Sequence, residues 1–227
     1  MELDSALHVG AFENWEMMAY DAYDTWIFDL DGTLLDTLDD LKNSVNHALL
    51  QFNMPERSRD EIRSFVGNGV RLLVERAVPE GTKDGVTIRV FEAFRQHYLE
   101  HSLDNTKPYP GVVDILKKLH EKGRKIAIVS NKLQAGVDDL NRRFFAEYVD
   151  VAIGERTGIP HKPAPDMVFE ALEKLRAKNA VYVGDSEVDI ETAKNAGLPC
   201  LCVLWGFRDE DFLRKHGAKF VDLKYFS

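Results

Sequence analysis

Short apolar runs recur along this chain, separated by amphipathic stretches of helical spacing. The first run, Trp26-Ile27-Phe28, leads straight into Asp29-Leu30-Asp31-Gly32-Thr33-Leu34-Leu35. Similar runs lie at 125–129, 149–153, 180–183 and 200–204, with a weaker one at 219–221. Between them Val112, Val113, Ile115, Leu116 and Leu119 share one helical face, and the pattern stops at Gly123. Met167, Val168, Ala171, Leu172 and Leu175 behave likewise after Pro163 and Pro165, and a third helix over 187–196 ends at Gly197. Strands alternating with helices imply right-handed crossovers and a parallel sheet. The expected fold is therefore α/β: a doubly wound, Rossmann-like parallel sheet whose ligand lies outside the carboxyl ends of the strands.

The alternation breaks between about 37 and 107. Leu38, Leu41, Val45, Leu49 and Phe52 mark one helical face, Ser58 followed by Glu61 reads as a capping box, and 70–78 and 86–99 are helical too. This predicts an inserted all-α subdomain over 37–107, a core formed by 23–36 and 108–227, and an N-terminal extension over 1–22. The connections near Thr37 and Lys107 are expected to act as paired hinges. In the extension, Phe12, Trp15 and Met18 form a short apolar stripe, read as a loose or docked segment.

Composition narrows the function. With 227 residues, 44% hydrophobic and 30% charged, the sequence is that of an ordinary soluble protein with room for a sizeable core. A formal charge of -9 argues against nucleic acid as a partner, although local positive charge can still bind a small anion. Cys200 and Cys202 suit buried thiols rather than a disulfide framework, which points to a cytoplasmic setting. No apolar run approaches membrane-spanning length, and the acidic start lacks the basic region of a secretory signal. Nothing separates monomer from homodimer.

Four pieces carry candidate chemistry at predicted strand ends. On an extended segment Asp29 and Asp31 project toward one spot, where two carboxylates repel unless a cation or shared proton relieves them. Ser130-Asn131 offers a hydroxyl and an amide to phosphoryl oxygens, but serves equally as a helix cap or turn. Lys162, in a loop stiffened by Pro163 and Pro165, is either a held charge beside an anion or a solvated lysine. Gly184-Asp185-Ser186-Glu187-Val188-Asp189 repeats the strand-then-carboxylate logic. Asp185 is placed to ligate a hard divalent ion, and Asp189 to ligate through water or to orient Lys162.

Taken in order, these motifs resemble the haloacid dehalogenase-like hydrolase superfamily over about 24–222. The helical insertion is similar to the cap of the branch that includes phosphoglycolate phosphatases. The resemblance implies that Asp29 attacks phosphorus and forms an aspartyl-phosphate, while Asp31 acts as acid and then base. Mg²⁺ is implied on Asp29, Asp185 and the main-chain carbonyl of Asp31, with Asp189 nearby. Ser130, Asn131, Lys162 and the amides of Gly32 and Thr33 would hold the transferring oxygens. In the insertion, Gly67, Asn68, Gly69 and Arg71 resemble a substrate loop. Arg71 and Arg63 read either as partners for a substrate carboxylate or as solvated arginines flanking a turn. His97 and His101, four residues apart, read as a solvated face. The implied activity is hydrolysis of a small phosphorylated metabolite. The alternatives are β-phosphoglucomutase-like transfer, pyrophosphate hydrolysis, and a non-catalytic phosphate-binding or interaction module.

Overall fold

The computed structural model describes residues 20–67 and 69–221. Most of the predicted N-terminal extension, including its apolar stripe, and Asn68 of the predicted substrate loop lie outside the described residues. Strands β1 (Thr25–Phe28), β4 (Lys125–Leu133), β5 (Val151–Glu155), β6 (Ala180–Gly184), β7 (Cys200–Val203) and β8 (Phe220–Val221) form one sheet in the order β5-β4-β1-β6-β7-β8. Every pairing is parallel. The chain builds β4 and β5 on one side of β1, then crosses to place β6, β7 and β8 on the other. β1 therefore sits where the strand order reverses, which is where open α/β sheets bind ligands.

Side-chain alternation explains why these runs are strands. Trp26 and Phe28 join Ile126, Ile128, Val181 and Val183 in one cluster, capped by α5 (Val112–Glu121) and α6 (Gln134–Phe144). Ile27 joins Ala127, Val129, Ala180 and Tyr182 on the other face, under α7 (Asp166–Leu175) and α8 (Glu187–Asn195). Both faces are covered, so apolar residues occupy consecutive positions. A short α9 (Glu210–Lys215) follows β7.

Two boundaries differ from expectation. β4 continues to Leu133, with its register against β5 shifting between Val129 and Leu133. Ser130-Asn131-Lys132 is thus irregular strand, not a helix cap. β1 stops at Phe28, and the chain bends at Leu30, whose carbonyl accepts from the amides of Leu34 and Leu35.

Four helices occupy the predicted insertion: α1 (Leu38–Gln51), α2 (Arg59–Phe65), α3 (Val70–Ala77) and α4 (Asp84–His101). They bury their own cluster, including Leu41, Leu49, Ile62, Leu73, Val74 and Phe94. The capping box of Ser58 and Glu61 opens α2. The connections on either side pair as a small antiparallel ribbon, β2 (Leu35–Asp36) with β3 (Lys107–Pro108). Buried Asp40 on α1 accepts from the amides of Asn105 and Thr106, tying the exit of the helical block to its entry.

Candidate active site

The β1 register with β4 and β6 brings Asp29, Ser130 and Asp185 to neighbouring strand ends, and the Asp29 amide donates to Val183 O at 2.9 Å. Together with Lys162, these residues line a cavity of about 50 Å³ between the sheet and the helical block. By this measure a water needs about 10–15 Å³, so the space suits a few waters or a group of phosphoryl size.

The crowding of carboxylates is real, but its members differ from expectation. Oxygens of Asp29, Asp185 and Asp189 lie within 4.8 Å of one another, and all three residues are buried. Asp31 lines the same cavity but is not part of that cluster. Its Oδ1 accepts from Lys132 Nζ at 2.9 Å. Asp29 Oδ1 accepts from Lys162 Nζ at 2.7 Å. Each aspartate of the strand-end pair therefore has its own lysine, and the charges that press on Asp29 come from Asp185 and Asp189.

Lys162 is 5% exposed and donates also to Asp189 Oδ1 at 2.8 Å and Tyr182 Oη at 3.1 Å. Burial alone would lower its pKa, but the charges of Asp189 and Asp29 outweigh it and hold Lys162 well above the ordinary lysine value. Asp29 is pushed up by burial, against the pull of Lys162 and with the push of Asp189 and Asp185. Asp185 rises to about 7, chiefly by burial and then by the Asp189 charge. Its Oδ2 accepts from the Phe207 amide at 2.7 Å and its Oδ1 from the Thr33 hydroxyl at 3.1 Å. Glycine is required at two positions around it: a Cβ on Gly32, where φ is +91°, or on Gly206 would overlap the Asp185 side chain.

Three carboxylates against one ammonium leave two unbalanced negative charges, the charge of one divalent cation. The donor set is all oxygen, as a hard cation prefers. Asp29 and Asp185 fit the ligand role best. Asp189 is committed elsewhere: its Oδ2 accepts from the Asp185 amide, the Ser186 amide and the Ser186 hydroxyl, while Oδ1 takes Lys162.

Asn131 clamps the Lys162 main chain, donating to its carbonyl at 3.1 Å and accepting from its amide at 2.8 Å, and it also lines the cavity. The amides of Gly32 and Thr33 are engaged inside their turn, with Leu35 O and Leu30 O, and so are not phosphate donors here. Ser130 does line the cavity. Gly67 and Gly69 line it too, both with positive φ. Arg71 does not. The apolar face of α3 turns Leu73, Val74 and Ala77 inward, leaving Arg71 with a side chain 68% exposed and paired with Glu75. Arg63 donates to the carbonyls of Phe207 and Gly206, and Arg208 donates back to those of Arg63 and Val66. These two arginines fasten the helical block to the loop after β7. His97 and His101 stack in a column with His47, ring centroids 4.0 and 4.2 Å apart.

Sequence reasoning gave no role to Lys132, Tyr182, Tyr98 or the 205–208 loop. A lysine directly after Ser-Asn in a buried strand was the one available signal. The others act through contacts distant in sequence.

Fold and site together define an enzyme of the doubly wound class whose chemistry rests on carboxylates at strand ends. Residues 26–203 match the haloacid dehalogenase-like hydrolase family, and the chain belongs to that family. A phosphoglycolate phosphatase of Aquifex aeolicus is 36% identical over 80% of this chain and 84% of its own length. One from Rhodobacter capsulatus is 35% identical over 86% and 91%. A structure from Lactobacillus delbrueckii subsp. bulgaricus, provisionally described as a phosphoglycolate phosphatase, superposes with a TM-score of 0.84. It is 38% identical, over 88% of this chain and 94% of the other. The chain is thus a phosphatase of this family. Among the described residues no helix is long and apolar enough to cross a membrane.

Proposed function

We propose that this phosphatase hydrolyses a small phosphate monoester through an aspartyl-phosphate on Asp29, with 2-phosphoglycolate as the substrate its relatives favour. The observation that carries the reading is the placement of Asp29: buried, at the end of the central strand, between Lys162 and Asp185. Asp29 attacks phosphorus as the ester bond to the leaving oxygen breaks, and Asp31 gives that oxygen a proton. Asp31 then takes a proton from water, whose oxygen attacks phosphorus and frees Asp29 and inorganic phosphate. Lys162 and Ser130 face the transferring oxygens from two sides, and Asp189, Tyr182 and Asn131 hold Lys162 in place. A divalent cation, Mg²⁺ in this reading, would be held by Asp29, Asp185 and the Asp31 carbonyl and would neutralise charge between nucleophile and phosphate.

The helices of 37–107 serve as a cap over the core of 23–36 and 108–227, hinged at the β2–β3 ribbon, and Gly67 and Gly69 are its substrate-facing positions. The unpaired thiols support a cytoplasmic setting. The test is release of inorganic phosphate from 2-phosphoglycolate and from an aryl phosphate, with and without Mg²⁺, by wild type and Asp29→Asn. Phosphate release that depends on Asp29 supports the reading. Wild-type rates in the variant, or an isomerised ester in place of free phosphate, would refute it.

A further inference from the structure

Lys132 is a nearly buried ammonium that the mechanism above does not use. Two polar partners bracket its Nζ: Asp31 Oδ1 at 2.9 Å and Tyr98 Oη at 2.8 Å. The register shift in β4 places it there, and its own amide donates to Ser130 Oγ at 3.2 Å. Burial would lower its pKa, but Asp31 and Tyr98 hold it above the ordinary lysine value, so it stays charged. Asp31 lies beyond the end of β1, bridged to Leu35 through its main chain, with a side chain 17% exposed.

Tyr98 comes from α4 of the helical block. Its ring stacks on Phe94 with centroids 5.3 Å apart, so its hydroxyl is presented from a packed face and not from a free side chain. The chain of contacts Tyr98–Lys132–Asp31 thus crosses from the helical block to the carboxylate assigned as acid and base.

We infer that Lys132 is a positioning residue for Asp31, and that Tyr98 makes this positioning depend on the docked helical block. The inference rests on the phosphatase reading, in which Asp31 protonates the leaving oxygen. With Lys132 and Tyr98 in place, Asp31 is aimed at that oxygen; without them it swings in the cavity. Phosphoryl transfer then suffers in proportion to how much the leaving group needs a proton.

The test compares kcat/KM, which covers the steps through leaving-group departure, on two esters without a carboxylate. Glycerol 2-phosphate has a poor leaving group, and p-nitrophenyl phosphate has one that departs unprotonated. Lys132→Met is expected to lose about 10²-fold on glycerol 2-phosphate, the size of a general-acid contribution, and a much smaller factor on p-nitrophenyl phosphate. Tyr98→Phe, which keeps the packed ring and removes only the hydroxyl, is expected to shift the ratio in the same direction by less. Equal loss on both esters would overturn the inference and leave Lys132 structural. Unchanged kcat/KM on both esters beside a raised KM for 2-phosphoglycolate, measured in parallel, would also overturn it, making Lys132 a substrate reader. Either result leaves Asp29-dependent phosphate release intact. Absence of that release in wild type would sink the phosphatase reading and this inference together.

Discussion

Two aspartate–lysine pairs lie side by side in this site and are built differently. Asp29–Lys162 belongs wholly to the sheet and its connections: β1, the loop before α7, β6 for Tyr182 and α8 for Asp189. Asp31–Lys132 is only half supported by the sheet, its other support being Tyr98 from the helical block. The group assigned to form a covalent bond is thus held by the core alone. The group assigned to move protons is held by Lys132 of the core, which Tyr98 of the helical block holds in turn.

Breaking the core pair should have the largest effect. Asp29→Asn removes the nucleophile, and phosphate release should fall on the order of 10³-fold or more, in the range seen when a covalent nucleophile is lost. If the variant keeps wild-type rates, the two pairs do not have distinct roles. Next in size, Lys162→Met leaves two buried carboxylates without their cation, costing about 3–5 kcal/mol in chemical denaturation of the metal-free chain. Lys132→Met should cost less, about 1.5–3 kcal/mol, because Asp31 can turn toward water. Equal costs would mean that the second pair is as enclosed as the first. Tyr182→Phe, which removes one hydroxyl beside Lys162, should cost about 1 kcal/mol.

Proton linkage sharpens the contrast. The folded-state pKa of Asp185, about 7, lies above its ordinary 3.8, so the folded chain binds the extra proton between those values. That contribution is complete below about 4 and is lost as pH rises through about 7. Without divalent cation, wild type should therefore lose stability relative to Asp185→Asn across this window. Mg²⁺ should reverse the difference at pH 8, where the carboxylate is free to bind it. Thermal midpoints of both proteins, with metal and with chelator, measure this, and an unchanged difference would remove Asp185 from the cation site. The smallest effect belongs to the helical block. His97 is held below its usual 6.5 by burial and by His47 and His101. The folded block therefore resists protonation, and its stability should decline as pH falls below 6.5, less so in His97→Gln. Denaturation midpoints in that range would show it.

The contrast also explains what the sequence revealed. Strands buried on both faces announce themselves as apolar runs, and a carboxylate following such a run reads as a strand-end residue, so Asp29 and Asp185 were legible. The helical block was legible from the spacing of Leu38, Leu41, Val45 and Leu49. Less legible were the directions of side chains set by contacts distant in sequence. Arg63 reaches the 206–207 carbonyls because of how α2 meets the loop after β7, and Asn131 turns to the Lys162 main chain because β4 shifts register. Alternation placed Asp29 and Asp31 on one spot, and both line the cavity, but the separate lysine that each takes was not legible.

The central claim is that phosphorus changes hands twice, from substrate to Asp29 and from Asp29 to water. Each in-line displacement inverts the phosphorus centre. A phosphorothioate monoester made chiral at phosphorus with two oxygen isotopes, hydrolysed in water carrying the third, tests this directly. Two displacements give inorganic thiophosphate with net retention of configuration. Net inversion would mean a single attack by water and would contradict the role of Asp29 as nucleophile.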